Sequence, residues 1–256
     1  MRALAILLAL CACAAPAADR IPTGEPSGPA SVDAAPPVAL TALADGVWLY
    51  SAYKTVEPWG PILTNGLVVE AEGGVWMIDT AWTDEQTEQV LSLVVSSVGR
   101  PVTHAVFTHA HDDKMGGVAA LRAAGIETYA LAESNALAPS SGLVPAEHAL
   151  TAVESGDVAL PSDALGGIAV FYSGSAHTTD NLVVGVPSAG VLFGGCMIRP
   201  AGARDLGNTA HADVAAWADT ARATAARFPD AAIVVPSHGA PGGRDLLERT
   251  VRLADG

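Results

Sequence analysis

Basic residues are scarce in this chain of 256 residues: 13 Lys and Arg stand against 27 Asp and Glu, giving a formal charge of −14. Nucleic acid and anionic membrane surfaces are bound by Lys and Arg that neutralise phosphate, so nucleic acid is excluded as a partner. Charge of either sign is also low, at 16% of residues, against roughly 25% in an average soluble domain. Three cysteines are too few for a disulfide scaffold. What is abundant is apolar: 50% of the residues, which excludes wholesale disorder. The length suits one or two domains with a large core.

The N-terminus carries one positive charge, Arg2, and then the apolar run Ala3 to Ala12. That is about half of the roughly 20 residues needed to cross a bilayer, so residues 1–12 read as a secretory signal peptide. Leu10-Cys11-Ala12-Cys13 resembles a bacterial lipobox. By that resemblance Cys13 becomes the lipidated first residue of an outer-membrane lipoprotein facing the periplasm. Cleavage near Ala15-Pro16-Ala17-Ala18 is the alternative and leaves a soluble periplasmic protein. Residues 13–38 are rich in Pro, Ala, Gly and Ser without hydrophobic periodicity, the composition of a tether. The folded domain is then 39–256, with Cys196 as its single cysteine. A lone thiol in an oxidising compartment needs a reason, burial or metal ligation.

Within the domain, strand-like segments come first and then alternate with helices. Val47 to Ala52, Leu67 to Val69 and Val75 to Ile78 read as strands, and Val102 to Phe107 as a strand entering a polar loop. Thr83-Asp84-Glu85-Gln86 fits a capping box ahead of a helix expected to bury Val90, Leu91, Val94 and Val95. A short helix is expected from Gly116 to Ala124. Further strands follow at Ile168 to Tyr172, Leu182 to Val186, Val191 to Phe193 and Ile233 to Val235. Val214, Trp217, Ala218, Ala221, Ala225 and Phe228 mark an amphipathic helix, and Arg244 to Leu253 a terminal one. This order predicts an α+β fold with two packed β-sheets and helices on their outer faces.

The chemistry concentrates in loops. His109-Ala110-His111-Asp112-Asp113 follows an apolar strand, and in an extended loop residues 109, 111 and 113 converge on one side. Two imidazoles and a carboxylate are donors that suit zinc. Three more loops present donors, His177, Cys196 and His238, in the manner of sites built from loops on a rigid scaffold. His104, His148 and His211 read as structural or surface residues, and Asp112 as solvated.

Thr108-His109-Ala110-His111-Asp112-Asp113-Lys114-Met115-Gly116-Gly117, Ala176-His177-Thr178-Thr179-Asp180-Asn181, Gly194-Gly195-Cys196 and Ser237-His238-Gly239 together resemble the metal-binding loops of the class B β-lactamases, the metallo-β-lactamases. The likeness runs from Ala44 to Leu253 and is to the first subclass, close to the Verona-integron-encoded and New Delhi enzymes. It implies an αββα four-layer sandwich and two zinc ions per chain. His109, His111 and His177 would hold the first; Asp113, Cys196 and His238 the second. Relatives that act as lactonases, thioesterases or nucleases typically carry histidine where this chain has Lys114, and aspartate where it has Cys196. Both departures point toward β-lactams.

The resemblance further implies hydrolysis of the β-lactam amide of penicillins, cephalosporins and carbapenems by a metal-bound hydroxide, conferring antibiotic resistance. Asp113 would orient the nucleophile and Asn208 donate to the oxyanion. Arg199, three residues after Cys196, or Arg204 would meet the substrate carboxylate. Val56 and Trp59 would sit on a flap over the site and Trp82 on its floor, with Asp79 and Lys114 holding ligands rather than touching substrate. A lactonase-like hydrolase of the same fold and a non-catalytic zinc-binding lipoprotein are the competing expectations. Monomer is the expected state, since no coiled-coil signal is present.

Overall fold

The computed structural model describes residues 35–154, 156–160 and 166–256. The signal peptide, Cys13 and nearly all of the tether lie outside these residues. Among the described residues twelve strands form two sheets, each drawn from one contiguous stretch of chain. The first sheet has seven strands: β1 (Ala39–Ala44), β2 (Val47–Val56), β3 (Gly60–Ala71), β4 (Gly74–Ile78), β5 (His104–Val106), β6 (Glu127–Leu131) and β7 (His148–Leu150), lying side by side in that order. Its first four strands pair antiparallel and β4 to β7 pair parallel. The second sheet runs β8 (Asp157–Val158), β9 (Ala169–Phe171), β10 (Val183–Val186), β11 (Val191–Gly195) and β12 (Ile233–Pro236), antiparallel except for the β11–β12 pair.

The period of two along each strand sorts side chains into three apolar layers. On β3 and β4, Leu67, Val69, Trp76 and Ile78 point between the sheets, where they meet Val184, Val191, Phe193 and Val235. The alternate residues Val68, Val75 and Met77 face outward and pack on helices α1 (Asp84–Val98) and α3 (Val118–Ala123). On the second sheet Val183, Leu192 and Val234 face α5 (Val214–Arg227) and α6 (Asp245–Asp255) through Trp217, Leu246 and Leu247. The result is the predicted four-layer sandwich, two mixed sheets between helices. Two further short α-helices among the described residues are α2 (Asp112–Met115) and α4 (Ala132–Leu137). Among the described residues no helix is long and apolar enough to cross a membrane.

Local details depart from the sequence reading in two places. Thr83 caps α1 by accepting from Gln86 N at 3.3 Å, but the Gln86 amide donates to Tyr53 O at 2.7 Å instead of returning to the cap. On α1, Val90 and Val94 are buried, whereas Val95, expected inside, is 54% exposed. It follows Val94 by 100° around the helix and so turns past the apolar stripe.

Candidate metal centre

Every donor loop leaves the same end of the sandwich. β5 runs through Phe107 and Thr108 to His109; β11 ends at Gly195, before Cys196; β12 leads to His238; His177 lies ahead of β10. Gly195 sits at φ +60°, a left-handed conformation that glycine adopts without strain. The loop after β5 is not fully extended as expected. Residues 112–115 close a helical turn, with Met115 N donating to His111 O at 2.8 Å, so Asp113 projects from a first helical turn. The two glycines after it permit close packing: a Cβ on Gly116 would lie 2.3 Å from Trp82 O, and one on Gly117 1.9 Å from Thr87 Oγ1.

Two donor clusters result. His109 Nε2 and His177 Nε2 lie 3.1 and 3.3 Å from His111 Nδ1. In the second cluster Cys196 Sγ is 3.3 Å from His238 Nε2 and 3.5 Å from Asp113 Oδ2, and His238 Nε2 is 3.5 Å from that same oxygen. Tetrahedral zinc with bonds of about 2.0–2.3 Å holds neighbouring donor atoms about 3.3–3.7 Å apart. Both triangles are close to that size, and the donor types are those of zinc.

Protonation fits the same use. Burial pushes His109, His111, His177 and His238 down, His177 to about 3, so each imidazole is neutral and ready to ligate at pH 7. Burial and the adjacent Asp113 push the Cys196 thiol far up, so only a bound cation would make it a thiolate. Burial alone would raise Asp113, but the Lys114 ammonium beside it, the largest opposing charge, outweighs it and holds the carboxyl well below the usual range.

The support beneath the ligands is equally specific. Lys114, fully buried, places Nζ 3.1 Å from Asp113 Oδ2 and 3.6 Å from Asp79 Oδ2, and donates to Thr64 Oγ1 at 2.8 Å. Asp79 takes φ 65°, in the left-handed region, a sparsely populated conformation for a residue other than glycine. It accepts from Thr108 N at 2.7 Å and from Thr108 Oγ1 at 3.0 Å, and the same hydroxyl lies 3.2 Å from His109 Nδ1. Burial raises Asp79 to about 7, against the pull of Lys114 and Thr108. His238 donates from Nδ1 to Leu63 O at 2.6 Å, which turns Nε2 toward Asp113.

The clusters open into a cleft of about 900 Å³ lined by Val56, Trp59, Trp82, Arg199 and Asn208, among others. Trp59, at the turn between β2 and β3, is 73% exposed. Arg199 is half-buried, its Nε donating to Asp205 O at 3.1 Å. Arg204 is exposed and does not line the cleft. Just before this residue, Pro200 and Ala203 close a turn, Ala203 N donating to Pro200 O at 3.0 Å. Asn208 uses Oδ1 to accept from Ala210 N at 3.1 Å, which leaves its amide N–H groups for another acceptor.

Sequence reasoning assigned no site role to Lys54, Thr64, Asn65 or His211. Asp112 is exposed, as read, and pairs with Lys54 Nζ at 2.6 Å; that ammonium lies over the Trp82 ring, so Lys54 walls the cleft. Asn65 donates to Pro236 O and Gly239 O at 3.0 and 2.7 Å and fixes the His238 loop; Thr64 and Asn65 are conspicuous only as polar residues within an apolar strand. His211, read as a structural or surface residue, is exposed and has Nδ1 2.9 Å from His111 Nε2.

A sequence model of the metallo-beta-lactamase superfamily matches residues 59–238. The metallo-beta-lactamase type 2 of Bacteroides fragilis is 36% identical over 225 residues, which is 88% of this chain and 88% of that protein. The protein of the same name from Pseudomonas aeruginosa is 35% identical over 217 residues, covering 85% and 84%. Among solved structures, the metallo beta lactamase of Erythrobacter litoralis with β-mercaptoethanol in its active site is 47% identical and superposes with a TM-score of 0.82, over 85% of this chain and 96% of that one. FIM-1 from Pseudomonas aeruginosa, in a mono-zinc form, is 47% identical with a TM-score of 0.81, over 88% and 96%.

Proposed function

The chain belongs to the metallo-beta-lactamase superfamily and is a hydrolase, and from that premise we propose that it opens the β-lactam ring of penicillins, cephalosporins and carbapenems with two zinc ions. The observation that carries this reading is the pair of donor triangles, each 3.1–3.5 Å on the measured edges, on the floor of one cleft. His109, His111 and His177 would hold one zinc; Asp113, Cys196 and His238 the other. Three neutral imidazoles leave the first ion its full charge, while a carboxylate and a thiolate neutralise the second. When bound, such ions lower the pKa of water and polarise a carbonyl.

The chain's own groups do the rest. Asp113, kept ionised by Lys114, is the carboxylate placed to orient the attacking water. Asn208 donates its amide N–H toward the lactam oxygen as negative charge grows there, an oxyanion contact made at full strength only in the transition state. Arg199 meets the substrate carboxylate, because among the two arginines considered it alone lines the cleft. Val56 and Trp59 cover the apolar side groups and exclude water. The signal-like N-terminus supports a periplasmic location, with Cys13 as the outer-membrane anchor or, if cleavage falls near Ala15-Pro16-Ala17-Ala18, as a soluble protein, and there the enzyme would confer resistance as a monomer.

The test uses mature protein assayed against a penicillin, a cephalosporin and a carbapenem, with zinc content measured in parallel. Ring opening that a chelator abolishes and zinc restores is expected. Two bound equivalents of zinc with no ring opened would refute the assignment.

A further inference from the structure

His111 uses Nδ1 toward the other two histidines, at 3.1 and 3.3 Å, so its ring carries its proton on Nε2 whenever Nδ1 is a ligand. That Nε2 lies 2.9 Å from Nδ1 of His211, and the two rings stand with centroids 5.2 Å apart and planes tilted by 52°. His211 sits in the loop between β11 and α5, and the loop is pinned on either side of it. Asn208 Oδ1 accepts from Ala210 N at 3.1 Å, Ala212 N donates to Thr209 O at 3.1 Å, and Asp213 N donates to Ala176 O at 2.8 Å, beside His177. Asp213 then caps α5 through Ala216 N at 3.1 Å.

From this arrangement we infer that His211 is a positioning residue for the three-histidine metal site: its Nδ1 accepts the Nε2–H of His111 and fixes that ligand's tautomer and ring angle. The acceptor is a second imidazole rather than a carboxylate, so it orients the ligand without adding negative charge to it. The same pinned loop also carries Asn208, so His211 sets the spacing between the oxyanion donor and His111. Ligand-orienting partners of this kind change metal affinity by about 10–100-fold when removed.

The inference rests on the metal reading proposed above, and the test separates the two. Zinc affinity of the full chain, His211→Ala and His211→Asn is measured by competition with a chromophoric chelator, and the cobalt(II) spectrum of each is recorded. In that spectrum the thiolate-to-cobalt band reports the Cys196 cluster and serves as internal reference, while the ligand-field bands report the three-histidine cluster. The Ala variant is expected to bind the three-histidine ion about 10–100-fold more weakly, with shifted ligand-field bands and an unchanged melt of the metal-free protein, as suits an exposed side chain. The Asn variant, with an acceptor oxygen near the place of Nδ1, is expected to bind more tightly than Ala and to restore the bands. A loss of less than about fivefold in the Ala variant, or an Asn variant no tighter than Ala, overturns the role of His211. A parent protein that binds no zinc overturns this inference and the metal reading together.

Discussion

Replacing Lys114 with methionine tests the electrostatic frame of the site most directly. The side chain is fully buried, with Nζ 3.1 Å from Asp113 Oδ2 and 3.6 Å from Asp79 Oδ2. At an effective dielectric of about 20 each contact is worth about 5 kcal/mol of attraction. Desolvating the ammonium offsets several kcal/mol of that, so its removal from the metal-free protein should cost about 3–5 kcal/mol. For a domain of this size that lowers Tm by about 6–20 °C.

The pH dependence follows with a definite sign. Asp79 rises from 3.8 to about 7 on folding, so the stability tied to its proton is full below pH 4 and is lost as pH rises through 7. Without Lys114 the folded carboxyls bind protons still more tightly, and the loss continues above pH 7. Calorimetry of chelator-treated protein should therefore show a gap between parent and Lys114→Met that widens from pH 6 to pH 8.5. Zinc at saturation should narrow it, because the metal supplies positive charge to Asp113. A Tm difference under 3 °C at pH 8, or a gap independent of pH, would show that the charge of Lys114 does not hold this cluster together.

Cys196→Ser should lose the second zinc before the first in a metal titration; equal weakening of both would contradict the ligand division. Arg199→Ala should raise KM for β-lactams by about 10-fold or more, as expected for a lost bond to a charged group, whereas Arg204→Ala should stay within twofold in the same steady-state assay. Gly116→Ala must move backbone, since its Cβ would lie 2.3 Å from Trp82 O; a loss of about 1–3 kcal/mol or more is expected in urea melts. Trp59→Ala should change stability by less than about 0.5 kcal/mol, as an exposed residue, while raising KM for substrates with bulky apolar side groups.

The sequence disclosed the six candidate donors because each stands just outside an apolar strand, five on loops and Asp113 in the short turn that follows His111, where a polar residue has few structural uses. The two packed sheets were legible as a class, but Leu67-Val68-Val69 and Val75-Trp76-Met77-Ile78 are unbroken apolar runs buried on both faces, so which residues face the other sheet and which the helices came from the structure. What also stayed hidden was lateral. β6, Glu127–Leu131, follows a glycine turn and has no clean period, so its place beside β5 came only from the structure. The long β2–β3 hairpin was read only at its apolar base, because Ser51, Lys54, Thr64 and Asn65 interrupt the pattern with side chains that serve the site. His211 lies 100 residues from His111, and no local pattern links the two.

Each sheet is built from one unbroken stretch of chain, the first ending at Leu150 and the second beginning at Asp157. The donor clusters ignore that division. His109 and His111 come from the first stretch and His177 from the second; Asp113 comes from the first, Cys196 and His238 from the second. Neither fragment alone can supply three donors to either cluster. A chain cut between the sheets would give two pieces that each lack a complete set, and mixing them would regain metal uptake only as fast as they re-dock. Metal uptake at either cluster would therefore need both stretches docked, and a nick in the 150–157 connection should turn into metal loss once the halves drift apart.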